Sequence, residues 1–248
     1  MEIWQILLLA LVGVAAGWLN VMAGGGSLLT IPVMLFMGVP GPMANGTNRI
    51  AILAQNITAV TAFRRRGFSD FKLGFSLAAA ASLGAIGGAS LGVKLEGVWF
   101  DRILALVMIG VMVLMATGQD KIKPSGGEAK AKNLFTGHLL MVGAGFWGGF
   151  IQIGVGFILM PILHRVLGLD LVRVNMHKVL IVLVYTVVAL AIFASNLELM
   201  WWVGVGLAIG NSIGGWLGAH TTIDKGEKLI RQVLYLALMA LVIKLLFF

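Results

Sequence analysis

The sequence predicts an all-α membrane protein made of two inverted five-segment repeats, with a short or broken helix near the start of each half. Three observations predict it. The 248 residues are 59% hydrophobic and 11% charged, against about 25% charge in soluble domains. Apolar windows approaching the roughly 20 residues of a bilayer crossing recur along the whole chain. The second set of windows repeats the landmarks of the first in the same order.

The first apolar segment covers about 3–22, with only Glu2 ahead of it, so the basic region of a cleavable signal peptide is missing. The second, about 26–38, is introduced by AGGGSLLTIP, Ala23 to Pro32. Glycine and proline are the poorest helix formers, and here they interrupt apolar sequence. The segment spans about 20 Å of a roughly 30 Å core at 1.5 Å per residue, whether it crosses or re-enters. It reads as a deliberately broken helix, with the N–H groups of Gly24 to Ser27 turned toward a midplane cavity. The third segment, about 48–63, follows ANGTNR, and the fourth and fifth lie at about 73–93 and 98–117. The polar stretch DKIKPSGGEAKAKN makes 120–133 a cytoplasmic linker between a first transmembrane repeat, 1–119, and a second, 134–248. The second repeat carries segments at about 134–150, 154–167, 177–194, 199–219 and 228–247.

Basic residues gather in alternate links: Arg64 to Lys72, Lys121 to Lys132, Arg165 to Lys178, and Lys225 to Arg231. The positive-inside rule places those links in the cytoplasm and both termini outside. Most of the net charge of +8 is then a topology signal, so the bilayer and not nucleic acid is the expected surface. Cysteine is absent, which removes disulfides and thiolate chemistry.

Three landmarks recur. LGAIGGASLG spaces Gly84, Gly88 and Gly92 four apart, and IGNSIGGWLG does the same with Gly210, Gly214 and Gly218. GGSLLTIP, Gly25 to Pro32, matches GVGFILMP, Gly154 to Pro161; NGTN, Asn45 to Asn48, falls opposite NMHK, Asn175 to Lys178. An odd number of crossings per half turns the second half upside down. Inverted repeats with short Gly/Pro-interrupted segments mark secondary transporters that bind substrate near the midplane. The four-spaced glycines let helices approach closely, within one protomer or across a homodimer.

All ten Asp and Glu residues lie at segment ends or in links, so metal-cation transport and carboxylate proton relays lack their usual groups. HExxH, Walker and GxSxG motifs are absent, and neither an enzyme, a cofactor nor a metal is expected. What enters apolar sequence is neutral or basic. The predicted anion-binding set is Gly24, Gly25, Gly26, Ser27, Asn45, Thr47, Asn48 and Arg49, with Gln152, Gly154, Asn175, His177 and Lys178 from the second half. Amides, hydroxyls and free glycine N–H groups replace an oxyanion's hydration shell, and helix N-termini add positive dipole. Blander roles stand beside these. Asn45 and Asn48 suit N-caps of the third segment, and Arg49 and Lys178 suit snorkelling to an interface. His177, which suits a packed position equally well, is the one group at these motifs that titrates near neutral pH. Asn20, Gln55, Asn56 and Asn211 also enter apolar sequence.

The glycine-rich break and proline, the small-residue element ANGTN, the basic loop and the second copy of this plan resemble the sulfite exporter TauE/SafE family, over about residues 5–247. The resemblance implies a multi-pass carrier of the bacterial cytoplasmic membrane that exports sulfur-containing anions such as sulfite, thiosulfate or organosulfonates. A carrier of a non-sulfur carboxylate and a non-transporting membrane subunit are the alternatives. The family's repeated elements fall on Gly24 to Ser27 with Asn45 to Asn48, and on Gln152 to Gly156 with Asn175 to Lys178. IQIGVG has fewer glycines than its counterpart and NMHK lacks the Gly-Thr pair, so an asymmetric site is expected.

Overall fold

The computed structural model describes residues 3–68, 70–95, 99, 102, 103, 106 and 131–247. Most of the fifth predicted segment and of the linker lies outside the described residues. Every regular element among them is helical: α1 (Ile3–Ala23), α2 (Ser27–Phe36), α3 (Gly41–Arg65), α4 (Phe71–Gly92), α5 (Leu134–Phe150), α6 (Val155–Pro161), α7 (Leu171–Asn196) and α8 (Trp201–Phe247). α6 runs directly into a π-helical turn, Ile162–Val166. Trp4–Ala23, Phe71–Gly92 and Leu171–Asn196 are long and apolar enough to cross a bilayer.

Three boundaries depart from expectation. α3 begins at Gly41, about two turns before the predicted start at 48, after Pro40 and with Pro42 in its first turn, where a preset φ favours initiation. Asn45 and Asn48 are therefore interior, not N-caps. Polarity misled the prediction, because their side chains find partners on other elements. α7 begins at Leu171 rather than 177, since the Asp170 carboxylate accepts from the N–H groups of Val172 at 3.0 Å and Arg173 at 2.9 Å and caps the helix. Finally, 199–219 and 228–247 belong to one helix of 47 residues, about 70 Å long. The intervening DKGEK is polar but holds no proline, and one interior glycine costs a helix only about 1 kcal/mol.

Each small-residue stripe is used by the opposite half. A Cβ on Gly84, Gly88 or Gly92 would strike the carbonyls of Val142, Phe146 or Phe150 on α5. One on Gly210, Gly214 or Gly218 would meet the carbonyl of Ala10, Val14 or Trp18 on α1. Residue numbers rise together in both pairs, so α4 runs parallel to α5, and α8 parallel to α1. Backbones packed this closely exclude any side chain between them, the packing that drives association in lipid. The stripes are thus consumed inside the chain.

The outer surface is apolar, with Leu11, Leu83, Leu139 and Ile209 exposed along four helices. Trp4 and the Trp201–Trp202 pair, also exposed, mark the starts of the parallel helices α1 and α8, as in an interfacial aromatic belt. Arg66, just past α3, and Asp224, midway along α8, form an ion pair at 3.3 Å, and the Lys132 N–H donates to the Leu167 carbonyl at 3.0 Å. The first contact joins the stretches after the third and ninth predicted segments, the second those after the fifth and seventh, all assigned to one side by charge.

Candidate functional site

Both halves interrupt a helix in the same way. α1 stops at Ala23 and α2 starts at Ser27; α5 stops at Phe150 and α6 starts at Val155. The interruptions hold left-handed residues: Gly24 at φ +86°, Gly154 at φ +70° and Gln152 at φ +61°. They also touch. A Cβ on Gly24 would overlap the Gly156 backbone, and one on Gly156 would overlap that of Gly24, so the two breaks cross backbone to backbone. Left-handed geometry at a buried non-glycine residue such as Gln152 costs on the order of 1–3 kcal/mol and persists where the surroundings fix it, typically at functional sites.

A helix that ends inside the bundle leaves carbonyls without partners, and here the opposite half supplies them. Arg49 on α3 donates through Nη1 to the Gly148 carbonyl at 2.9 Å and through Nη2 to the Gly149 carbonyl. Asn45 donates to the Phe150 carbonyl at 2.9 Å. Together they close the end of α5. On α7, Lys178 donates to the Val21 carbonyl at 2.7 Å and to Asn175 Oδ1 at 2.8 Å, while Asn175 reaches the Met22 carbonyl at 3.4 Å. These close the end of α1. Each half therefore carries an asparagine and, three or four residues on, a cation that together cap the broken helix of the other half.

Arg49 is fully buried and Lys178 is 2% exposed. Among the described residues neither meets a carboxylate: the acidic partners there, Asp70, Asp170 and Asp224, pair with His177, Arg173 and Arg66. The partial negative charge at a helix C-terminus, about half an elementary charge, offsets each cation only in part. Two buried basic groups thus lack a full counter-charge among the described residues, in an environment where charge is costly.

A cavity of about 10 Å³ lies between these groups, lined by Asn20, Asn56, Gln152, Val155, Gly156, Lys178, Val179 and Val182. That is room for roughly one water molecule. Among the described residues the N–H groups of Gly25, Gln152 and Gly154 have no acceptor. Gly24 and Gly26 are committed within the chain: Gly24 N–H donates to the Asn20 carbonyl at 2.8 Å and Gly26 N–H to Asn20 Oδ1 at 3.4 Å.

The remaining predicted residues divide. Asn48 donates to Ser27 Oγ at 3.1 Å and accepts from Thr30 Oγ1 at 2.7 Å, pinning α2 to α3. Thr47 accepts the Met200 N–H at 3.2 Å, at the entrance to α8. His177 is fully buried one residue before Lys178, faces Gly74 on α4, and lies 3.7 Å from the exposed Asp70 carboxylate without a hydrogen bond at either ring nitrogen. It lines neither that cavity nor the open groove of about 400 Å³ formed by Gly67, Phe68, Asp70, Arg173 and Met176.

A family model described as sulfite exporter TauE/SafE matches residues 9–245. The chain belongs to the sulfite exporter TauE/SafE family. It is 28% identical over 235 residues to a probable membrane transporter protein of a Sinorhizobium species, covering 93% of this chain and 88% of the relative. Against the probable membrane transporter proteins of Haemophilus influenzae and Escherichia coli K12 the identities are 27% and 26%. Those matches cover 90% and 95% of this chain, and 87% of each relative. A comparison with solved structures finds no match. The TauE/SafE chain is thus one of a family of membrane transporters.

Two polar side chains at the cavity of this TauE/SafE chain, Asn20 and Asn56, fall outside the residues predicted for the site. Asn20 donates to Gln55 Oε1 at 3.2 Å, which also accepts from Asn211 at 3.3 Å, so an amide chain ties α1, α3 and α8 beside the break. Both asparagines stand out in sequence as amides in apolar segments; what sequence lacks is the pairing of elements that brings them to one cavity.

Proposed function

We propose that this membrane transporter exports small sulfur-containing anions, such as sulfite, thiosulfate or organosulfonates, across the bacterial cytoplasmic membrane, by alternating access between two inverted halves. One observation carries the reading: Lys178, a buried basic group without a carboxylate partner among the described residues, lines the cavity at the crossing of the two helix breaks. An anion at that crossing supplies its counter-charge, and the amides of Asn20, Asn56 and Gln152 replace the anion's hydration shell. Family membership supports the transport chemistry and the class of anion. The inverted relation is supported by the exchanged partners of the halves, α1 with α8 and α5 with α4, and by their reciprocal caps.

With room for about one water, the cavity admits an oxyanion only when the breaks separate. Alternating access then means opening the crossing first toward one side and then toward the other. The cross-caps are the contacts that such a motion remakes. Purified protein in liposomes, offered labelled sulfite, thiosulfate, an alkanesulfonate and a sulfur-free carboxylate, tests the proposal. Saturable flux of the sulfur anions is expected. Flux of the carboxylate alone transfers the reading to a carboxylate carrier, and folded protein that moves none of the four refutes transport of this class.

A further inference from the structure

The two buried cations occupy mirrored places in the repeat, yet only one of them reaches the cavity. Lys178 lines it; Arg49 does not. Lys178 has three donor protons, and two acceptors, the Val21 carbonyl and Asn175 Oδ1, are found for them. Arg49 has five N–H groups, and four of them are committed: to the Gly148 and Gly149 carbonyls, Asn45 Oδ1 at 3.5 Å and Gln152 Oε1 at 3.1 Å. The fifth, at Nε, has no acceptor among the described residues. The Phe193 ring lies 4.4 Å from the guanidinium carbon.

Gln152 stands between Arg49 and the cavity. Its backbone is left-handed at φ +61°, and its Oε1 takes both the Arg49 bond and one from Tyr185 Oη at 3.4 Å. With the oxygen held on that side, the amide nitrogen, which has no acceptor among the described residues, is left for the cavity that Gln152 lines. An amide that rotated freely would present oxygen to an anion half the time, and an oxygen there repels it.

We infer that Arg49 is a positioning residue: with Tyr185 it fixes the orientation of Gln152 so that an amide N–H₂ donor faces the transported anion, while Lys178 alone supplies charge at the cavity. The inference rests on the anion-transport reading and divides labour between two residues that sequence places in equivalent roles. It makes the fork of Arg49, not its charge, the functional property.

The test is flux of labelled sulfite or an alkanesulfonate by purified variants in liposomes, read as the half-saturating anion concentration and the maximal rate. Arg49→Lys keeps the charge and loses the fork. It is expected to raise the half-saturating concentration about tenfold, as much as Arg49→Gln does, and to change it less than about twofold in a Gln152→Ala background, because coupled residues are non-additive. Lys178→Arg keeps most of the affinity that Lys178→Gln loses, and Lys178→Gln stays additive with Gln152→Ala. Tyr185→Phe deletes only the 3.4 Å bond. It raises the half-saturating concentration a few-fold without lowering the maximal rate, which keeps the inference testable if the Arg49 variants do not fold. Wild-type affinity in Arg49→Lys, full additivity of Arg49 and Gln152 substitutions, or an unchanged half-saturating concentration in folded Tyr185→Phe overturns the inference while leaving transport intact. Folded wild type that moves no anion removes the transport reading and the inference with it, and that outcome is distinct from the other three.

Discussion

Replacing Gly156 by alanine adds one methyl group where the two breaks cross. The new Cβ would overlap the Gly24 Cα and lie 2.8 Å from the Gly24 carbonyl oxygen. These are backbone atoms held by a left-handed turn, so no side-chain rotation relieves the clash. Overpacking of this kind costs about 1–3 kcal/mol, offset by about 1 kcal/mol because alanine is the better helix former. Gly143→Ala on α5 isolates the second term, since its Cβ meets nothing within 4 Å. The two variants should therefore differ by the overlap alone, about 2 kcal/mol. At about 2–4 °C per kcal/mol for a chain of this size, that is a gap of roughly 4–8 °C. Thermal unfolding of the detergent-solubilised protein, followed by size-exclusion fluorescence, measures it, and liposome flux shows whether the separated breaks still work. Gly24→Ala adds a positive-φ penalty of about 1–2 kcal/mol, which Gly38→Ala, at φ +81° with open space around it, reports by itself. Equal stability and equal flux for Gly156→Ala and Gly143→Ala would refute the crossing.

Other perturbations read separate parts of the account. Lys178→Gln removes the cation from the cavity and uncaps α1; loss of a charged hydrogen-bonding group at about 1.5–3 kcal/mol predicts a fall of roughly 10–100-fold in flux at low anion concentration. Asn48→Ala breaks the bonds to Ser27 and Thr30 and leaves buried groups unpaired. A loss of about 1–3 kcal/mol is expected in thermal unfolding, with a cysteine introduced at Leu29 on α2 becoming more accessible to thiol labelling. Gly88→Leu forces α4 away from the Phe146 carbonyl and should abolish the folded monodisperse species, whereas the lipid-facing Leu83→Ala should keep it. Asp224→Asn removes an exposed ion pair with Arg66 and should shift stability by less than about 1 kcal/mol.

The breaks and the stripes were legible because they are written in residue types with few uses in a membrane. Consecutive glycines, a proline and four-spaced small residues say where a helix stops or packs tightly. The starts of α3 and α7 were not legible. ANGTNR looks like a boundary by polarity, yet Asn48 bonds Ser27 and Thr30 on α2, while Asn45 and Arg49 bond the end of α5, contacts that do not exist until the other half is in place. The continuity of α8 through DKGEK was hidden for a related reason, since charge alone does not end a helix. At the site, Gln152, Asn175 and Lys178 came from the repeated motifs. Asn20 and Asn56 did not, because membership of a cavity is a property of paired elements. Arg49 and Lys178 read as equivalent in sequence, yet only Lys178 lines the cavity, and Arg49 bonds Gln152 instead.

The most direct measurement of the central claim is flux of a labelled sulfur anion into liposomes carrying the purified protein, wild type beside Lys178→Gln. The account predicts saturable wild-type flux that the substitution lowers by at least about tenfold while the protein stays folded. Equal flux in the two proteins would contradict the claim that the anion passes the crossing of the broken helices.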